Sequence, residues 1–389
     1  MYKRQNGNRA NNRYQFPKTR VEEQQSKLEL TVVKGDTLPT QKKQYTAVSL
    51  FSGAGGLDVG FEREGFDVVF ANELDSDAAA TWRANRPYSS AMHEGDIKTF
   101  IPLLGEYKGA DIVFGGPPCQ GFSVAGKMNP DDPRSKLLWT FMDTVDAVQP
   151  KIFLIENVSA LATLKKWETT RNKLVKRAND FGYDCEFAVF SASDYGVPQN
   201  RERVVFFGIK KELGCAKSFF DQMQKAKRKP KTLREVLKSV GKYGTDENPQ
   251  TCTSHVSLAK RPVLRQSPYA GMLVNGAGRP MNLDGVAHTL PASMGGNKTP
   301  IVDENALEND EVNWFVTYLE RLIAGEADPE TEQVPSTIRR LTIKEAAALQ
   351  TFPSGYVFCG KKTQQYKQIG NAVASDFAAA VAKSARACL

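Results

Sequence analysis

"TAVSLFSGAGGLDVGFEREGFDVVFANE", residues 46–73, is the stretch whose reading decides the fold. It opens on a short apolar run, 46–51, and breaks at Gly53, Gly55 and Gly56. It then continues with apolar residues at helical spacing as far as Gly65. A second apolar run, 67–71, leads to Glu73. Strand, glycine turn, helix and strand in that order form the unit of a parallel sheet covered by helices. The unit recurs. "ADIVFGG" (110–116) and "KIFLIEN" (151–157) read as buried strands, with "LLWTFMDTVDAV" as the helix between them. "CEFAVFSAS" and "RVVFFGI" (203–209) read as a hairpin-like pair near a sheet edge. The expected class is α/β.

The 389 residues suffice for two domains or one large one, and the chain is ordinary for a soluble globular protein at 41% hydrophobic and 25% charged residues. No apolar run reaches the length of a membrane span, and the polar, basic N-terminus does not read as a secretory leader. Six scattered cysteines (119, 185, 215, 252, 359, 388) contain no CxxC pair, so a reducing cytoplasm is expected rather than a disulfide framework. Cys252 and His255 lie three apart with no second pair to complete a tetrahedral set, so no metal is expected.

Net charge is +8, and residues 1–43 carry ten Lys and Arg against four Asp and Glu. They read as a basic, disordered extension. A second basic stretch, Lys217–Lys242 with "KAKRKPK", suits either a solvated linker or a strip on phosphates. Residues 44–238 read as the sheet domain. From about 239 to 335 the chain is rich in Gly, Pro, Asn, Thr and Ser with weak periodicity, and 239–354 reads as a second, irregular module. Helix returns with "TIKEAAALQTF", where Thr342 and Glu345 stand at capping-box spacing. Residues 355–389 close the chain with a final helix and return to the first domain.

The glycine turn points to a nucleotide-like ligand. It is not the dinucleotide fingerprint, because the third glycine of that pattern is replaced by Asp58. Glu73 ends the next strand, where an acid can accept both ribose hydroxyls. Asp96, before the following strand, could accept from an exocyclic amine. Adenosine recognition without a pyrophosphate loop suits S-adenosylmethionine better than NAD. A tight turn flanked by surface acids is the plainer reading of the same residues.

"IVFGGPPCQGFSVAGK" (112–127) ends a strand in two glycines, two prolines and Cys119. Paired prolines fix two φ angles, so the thiol sits on a stiff loop. Glu156 follows the next strand. In open α/β sheets sites form beyond the carboxyl ends of the strands, which places both residues at the edge of the glycine turn.

The chain resembles the DNA (cytosine-5) methyltransferases. The matching blocks, in order from Leu50 to Val373, are "LFSGAGGLDVGFEREGF", "NELD", "GDI", "GGPPCQGFS", "ENV", "PQNRERVVFFGI", "RRLTIKEAAALQTFP" and "QIGNAV". The resemblance implies a Rossmann-like S-adenosylmethionine-dependent sheet with a smaller irregular target-recognition domain. It implies a bacterial or phage enzyme, a monomer, that transfers the methyl group to carbon 5 of a cytosine flipped out of double-stranded DNA. A cognate restriction endonuclease would be a genetic partner. Cys119 would add to carbon 6 as a thiolate. Glu156 would share a proton with ring nitrogen 3. Arg203, with Arg201 beside it, would bind the base's carbonyl oxygen or orient neighbouring groups. Asn157 would hold the loop.

The cofactor set implied by the resemblance is Phe51, Gly53, Gly55, Gly56, Leu57, Glu73, Leu74, Asp96, Ile97, Pro118 and Asn371. Leu74 stands where many relatives carry tryptophan, which makes packing on the adenine apolar rather than aromatic. Gln120 and Ser123 would lie near the flipped nucleotide on a loop closing over DNA. "AHTLPASMGGNKTPIV" resembles the Thr-Leu segment of target-recognition modules, so Thr289 and Leu290 join the DNA set. Arg261, Arg265, Arg279 and Asn297 are candidates for groove contacts. Two alternatives stay open: the same chemistry on tRNA, and a non-catalytic DNA-binding protein on the same scaffold.

Overall fold

The computed structural model describes residues 45–118 and 136–389. The extension 1–43 and the candidates Cys119, Gln120 and Ser123 lie outside the described residues.

A seven-stranded sheet forms the frame, in the order β3-β2-β1-β4-β5-β8-β6. Its strands are β1 (Tyr45–Leu50), β2 (Phe66–Glu73), β3 (Met92–Glu94), β4 (Ile112–Gly115), β5 (Ile152–Val158), β6 (Tyr183–Ser191) and β8 (Glu202–Lys210). Strands β1 to β5 pair in parallel, and β8 runs antiparallel to both neighbours, β5 and β6. The expected pair near an edge is therefore β6 with β8, joined through the short β7 (Gln199–Asn200).

Alternation explains why these runs form a two-sided sheet. Ile112 and Phe114 of β4, Ile152 and Leu154 of β5, and Val205 and Phe207 of β8 join one core. Val113, Phe153, Ile155, Val204 and Phe206, one residue out of step, join the other. With both faces covered, the strands read as continuous apolar runs. Helix α1 (Gly56–Arg63) and the final helix α11 (Ser375–Arg386) cover the first face. Helices α3 (Ile97–Leu104), α4 (Leu137–Val148) and α5 (Glu168–Asp180) cover the second, and α2 (Ser76–Ala84) joins β2 to β3.

The basic stretch after β8 is ordered. It forms α6 (Lys217–Lys225), and Lys227 and Arg228 beyond it pair with Asp194 and Asp376. A third core begins on α7 (Leu233–Val240) and takes in Met281, Leu290, Leu341 of the segment after β12 (Ile338–Arg340), Leu349 of α9 (Ile343–Leu349), and Tyr366 and Ile369 of α10 (Lys362–Asn371). It thus crosses the expected limits at 239 and 354. A fourth core packs the ribbon β9 (Leu258–Val263) and β10 (Met272–Val274) on α8 (Trp314–Ala324). Weak periodicity hid α8: its signals are the Asn313 cap, whose side chain accepts from Phe315 N–H, and the left-handed Gly325 at its end.

Candidate active site

The parallel strands β1, β2, β4 and β5 bring their carboxyl ends to one edge, and antiparallel β8 brings its amino end there. Arg203 therefore lies beside the end of β5, in register with Val158. No periodicity in the sequence signals that reversal.

The turn after β1 is forced into left-handed backbone. Phe51 has φ 55°, Gly53 56° and Gly55 83°. Glycine adopts this freely, whereas an aromatic residue does so at a cost that tertiary contacts must outweigh. Gly56 must lack a side chain, because a Cβ there would collide with the carbonyl of Val373. The segment after Asn371 is thus packed on the turn, and Asn371 stands exposed at the end of α10.

Glu73 closes the turn from β2. Its Oε2 accepts from Gly53 N–H at 2.7 Å, and its Oε1 accepts from the N–H groups of Leu74 and Asp75 at 2.9 and 2.8 Å. Burial raises its carboxyl above the ordinary range, and those three donors act against the rise. The Gly53 N–H is spent on Glu73, so it does not face outward as a phosphate cradle would. Leu74 is 70% exposed. An apolar side chain stands open at the turn that Glu73 braces, which suits a stacked or packed ring better than water.

Buried Asn72, which sequence reasoning did not single out, fixes the next acid. Its Nδ2 donates to the carbonyls of His93 and Gly95 at 2.9 and 3.0 Å. Gly95 N–H in turn donates to the Glu73 carbonyl at 2.9 Å. Asp96 follows, exposed, capping α3 by accepting from Lys98 N–H at 3.0 Å. Leu57 and Ile97 turn their side chains into the cores, so only their backbone is open to a ligand. Two carboxylate acceptors and an open apolar side chain beside the glycine turn fit an adenosine with its two hydroxyls and one amine.

Beneath the turn lies a buried polar unit that sequence inspection missed. Tyr356 Oη donates to the Ala54 carbonyl at 2.6 Å. Arg86 donates to Tyr356 Oη at 3.2 Å, pairs with both Glu62 oxygens at 2.7 and 2.8 Å, and stacks over Trp82 at 4.5 Å. Trp82 Nε1 donates to Asp58 Oδ1 at 2.9 Å. Burial pushes the Asp58 carboxyl up to about 6, chiefly against the pull of Arg86. Asp58, which departs from the dinucleotide glycine pattern, is thus a member of this scaffold.

Glu156 is 8% exposed, and its Oε1 lies 2.7 Å from Arg203 Nε. The contact is an ion pair set off the N–H line, so that buried oxygen has no aligned hydrogen bond. Arg203 also donates through Nη1 to the Glu202 carbonyl at 2.6 Å. A Cβ on Gly116 would come within 3.0 Å of Glu156 Oε2, so the backbone that leads into Pro117 and Pro118 runs against this carboxylate. Asn157 Nδ2 holds that backbone by donating to the Pro117 carbonyl at 3.0 Å.

Arg201 is placed differently from Arg203. It is 3% exposed and donates to the carbonyls of Gly370 and Ala372 at 3.0 Å each and of Leu290 at 3.5 Å. Its place is that of a positioning residue that joins three segments. Thr289 is exposed, and its hydroxyl donates to the Asn200 carbonyl at 2.6 Å. Leu290 departs from the expectation of a DNA contact. It is 1% exposed, packs in the third core, and donates its N–H to Gln199 Oε1 at 3.0 Å. Its apolar side chain anchors the segment while Thr289 stays at the surface. Arg279, His288, Thr289, Ser293 and Lys298 line a cleft of about 330 Å³ next to the β7–β11 pairing, where β11 is Ala287–His288.

The sequence pattern of the C-5 cytosine-specific DNA methylase family matches residues 45–387. The Type II methyltransferase M.PspPI of Psychrobacter sp. (strain TA137) is 33% identical over 351 residues, 88% of this chain and 79% of that protein. The Type II methyltransferase M1.HphI of Haemophilus parahaemolyticus is 32% identical over 355 residues, 87% of this chain and 86% of that one. The crystal structure of a Spodoptera frugiperda DNMT2 mutant shares the fold, with a TM-score of 0.61 and 17% identity, over 88% of this chain and all of that one. The chain belongs to the C-5 cytosine-specific DNA methylase family, whose activity is methylation of carbon 5 of cytosine in DNA with S-adenosylmethionine as cofactor.

Proposed function

We propose that this enzyme methylates a flipped-out cytosine within a specific site of double-stranded DNA through a covalent Cys119 adduct. The observation that carries the reading is the Glu156–Arg203 pair at 2.7 Å, beside the Gly116–Pro118 backbone that leads directly into Cys119.

Carbon 5 of cytosine is a weak nucleophile. The Cys119 thiolate adds to carbon 6, and ring nitrogen 3 takes a proton shared by Glu156. The ring then behaves as an enamine. Glu156 also accepts from the exocyclic amine. Arg203, permanently charged, holds the carboxylate in place and faces the base's carbonyl oxygen without competing for the proton. Glu73, Asp96, Leu74, Phe51 and Asn371 would hold S-adenosylmethionine, which would supply the electrophilic methyl carbon. Loss of the carbon 5 proton to water expels the thiolate and restores the aromatic ring. Extruding the base costs a few kcal/mol of stacking and pairing, so Gln120 and Ser123 serve the open nucleotide.

We further infer a monomer working in a bacterial or phage-infected cytoplasm, with a restriction endonuclease as genetic partner. The chain's net charge suits a polyanion, and no described helix is long and apolar enough to cross a membrane. The test is methyl transfer by the purified chain to duplex DNA and, in parallel, to tRNA, followed by bisulfite sequencing of the DNA. The expected result is 5-methylcytosine at one site in DNA, abolished in Cys119→Ser, and a denaturation-resistant adduct with a 5-fluorocytosine duplex. Methylation of tRNA alone, or undiminished turnover in Cys119→Ser, overturns the reading.

A further inference from the structure

The glycine turn after β1 is held by two separate clamps. The first belongs to the sheet: Glu73 Oε2 accepts from Gly53 N–H at 2.7 Å. The second comes from a segment 302 residues away. Residues 350–361, between α9 and α10, carry Tyr356, whose Oη donates to the Ala54 carbonyl at 2.6 Å. The two clamps act on different peptide planes. A peptide is planar, so gripping both its carbonyl and its N–H fixes its orientation. The Ala54–Gly55 peptide is gripped in that way. Its carbonyl accepts from Tyr356, and its N–H donates to the Ser52 carbonyl at 2.9 Å.

The surroundings aim the hydroxyl. A hydroxyl has one proton to give and lone pairs to receive, whereas a guanidinium only gives. Arg86 Nη1 donates to Tyr356 Oη at 3.2 Å, so the tyrosine's own proton is directed to Ala54. Arg86 is itself fixed, paired with both Glu62 oxygens and stacked on Trp82. A Cβ on Gly55 would meet Arg86 Nη1 at 2.9 Å, and Trp82 Cδ1 and Tyr356 Oη at 3.0 Å each, so the turn is seated on these three side chains. The segment that carries Tyr356 has other anchors. Val357 N–H donates to Asn85 Oδ1 at 2.9 Å, and its carbonyl accepts from Asn85 Nδ2 at 2.8 Å. Cys359 N–H donates to Thr81 Oγ1 at 2.8 Å. The Tyr356 ring packs on Phe352 and Phe358, with centroids 4.8 and 5.4 Å apart. These contacts hold the segment without the hydroxyl, whose proton is left for the turn.

We propose that Tyr356 is a positioning residue for S-adenosylmethionine: its hydroxyl, aimed by Arg86, fixes the Ala54–Gly55 peptide and keeps the glycine turn in the shape that takes the cofactor. This rests on the reading of that turn, with Glu73, as the cofactor site. Without the hydroxyl the plane is gripped at one end only. Gly55, at φ 83°, then has the other backbone conformations open to glycine. The fraction of molecules ready to bind falls, and the apparent Kd rises by the inverse of that fraction. The opposite assignment, a tyrosine that only ties residues 350–361 to the sheet domain, costs stability and leaves cofactor affinity alone.

The experiment uses the full chain and measures S-adenosylmethionine binding by calorimetry, the urea midpoint, and initial rates of methyl transfer to unmethylated duplex DNA. Tyr356→Phe keeps the ring and removes the hydroxyl. Its Kd for S-adenosylmethionine is expected to rise by about three- to tenfold. The KM for the cofactor should rise with it, while kcat at saturating cofactor and the KM for DNA stay at wild-type values. Arg86→Lys tests the same hydroxyl from the other side, since it loses the fork that aims Oη, and should also raise the Kd. Phe358→Leu loosens the ring cluster and leaves the hydroxyl in place. It should lower the urea midpoint with the Kd unchanged. Wild-type affinity in Tyr356→Phe overturns the proposal. So does a Phe358→Leu variant that loses as much affinity as Tyr356→Phe, because the segment then acts only as a tie. Glu73→Ala is the control for the site: cofactor binding that survives it defeats the reading of the turn itself, which separates that failure from a failure of the hydroxyl's role.

Discussion

At the scale of residues, the pair of buried Glu156 with Arg203 is the centre of the proposed chemistry. Glu156 has Arg203 on one side and the Gly116 backbone on the other. Glu156→Gln keeps the shape and removes the shared proton, and single-turnover methyl transfer should slow by about 10²–10⁴-fold with S-adenosylmethionine binding unchanged. Asp58 offers a different test. Burial raises its carboxyl from 3.8 to about 6, so folding takes up a proton. The stability tied to that proton is fully present below about pH 4 and lost as pH rises through 6, a change of roughly 3 kcal/mol. Asp58→Asn does not titrate and still accepts from Trp82. Urea unfolding at pH 5 and 7.5 should therefore show the variant gaining about 1 kcal/mol or more on wild type at the higher pH. Glu73, Asp96 and Glu156 stood out in the sequence because their order along the strand–turn–helix pattern matched a chemistry. Asp58 was legible only as a missing glycine.

At the scale of elements, local signals carried far. The run 137–148 is α4 as read, and the capping box at Thr342 and Glu345 starts α9. A second box at Thr232 and Glu235 starts α7. The two boxes share a sequence logic and differ in surroundings. The Thr232 side chain is hydrogen-bonded near the surface, with Glu235 alone. Thr342 is buried and also donates to Asn248 Oδ1 at 2.6 Å. Thr232→Ala should cost about 1 kcal/mol by urea unfolding, an ordinary cap. Thr342→Ala should cost about 2–3 kcal/mol, because it also strands a buried amide oxygen. What local signals could not carry was neighbour order. The hairpin-like reading of "CEFAVFSAS" with "RVVFFGI" sets the two antiparallel to each other but not which of them lies against β5; that it is β8 sets Arg203 beside Glu156.

At the scale of the whole molecule, long-range contacts tie the glycine turn and the segment after α10 to distant parts of the chain. Tyr356 reaches Ala54 across 302 residues of sequence, and Arg201 gathers carbonyls from Leu290, Gly370 and Ala372. Arg201→Ala leaves these buried acceptors short of donors and should lower stability by about 3 kcal/mol or more, read as a lower urea midpoint. Arg203→Ala should also lower that midpoint, because it leaves the buried Glu156 carboxylate without its ion-pair partner. By itself the sequence determined the alternating strands, the glycine turn, the helix caps and the order of the family's blocks. Each of these is written within one strand or one turn, where pleat, φ angle and capping act on near neighbours. Only the tertiary structure decided that Leu290 is an anchor and that Arg201 and Arg203 part company two residues apart. Those outcomes depend on which distant segments the closing chain brings together, and no local periodicity encodes that.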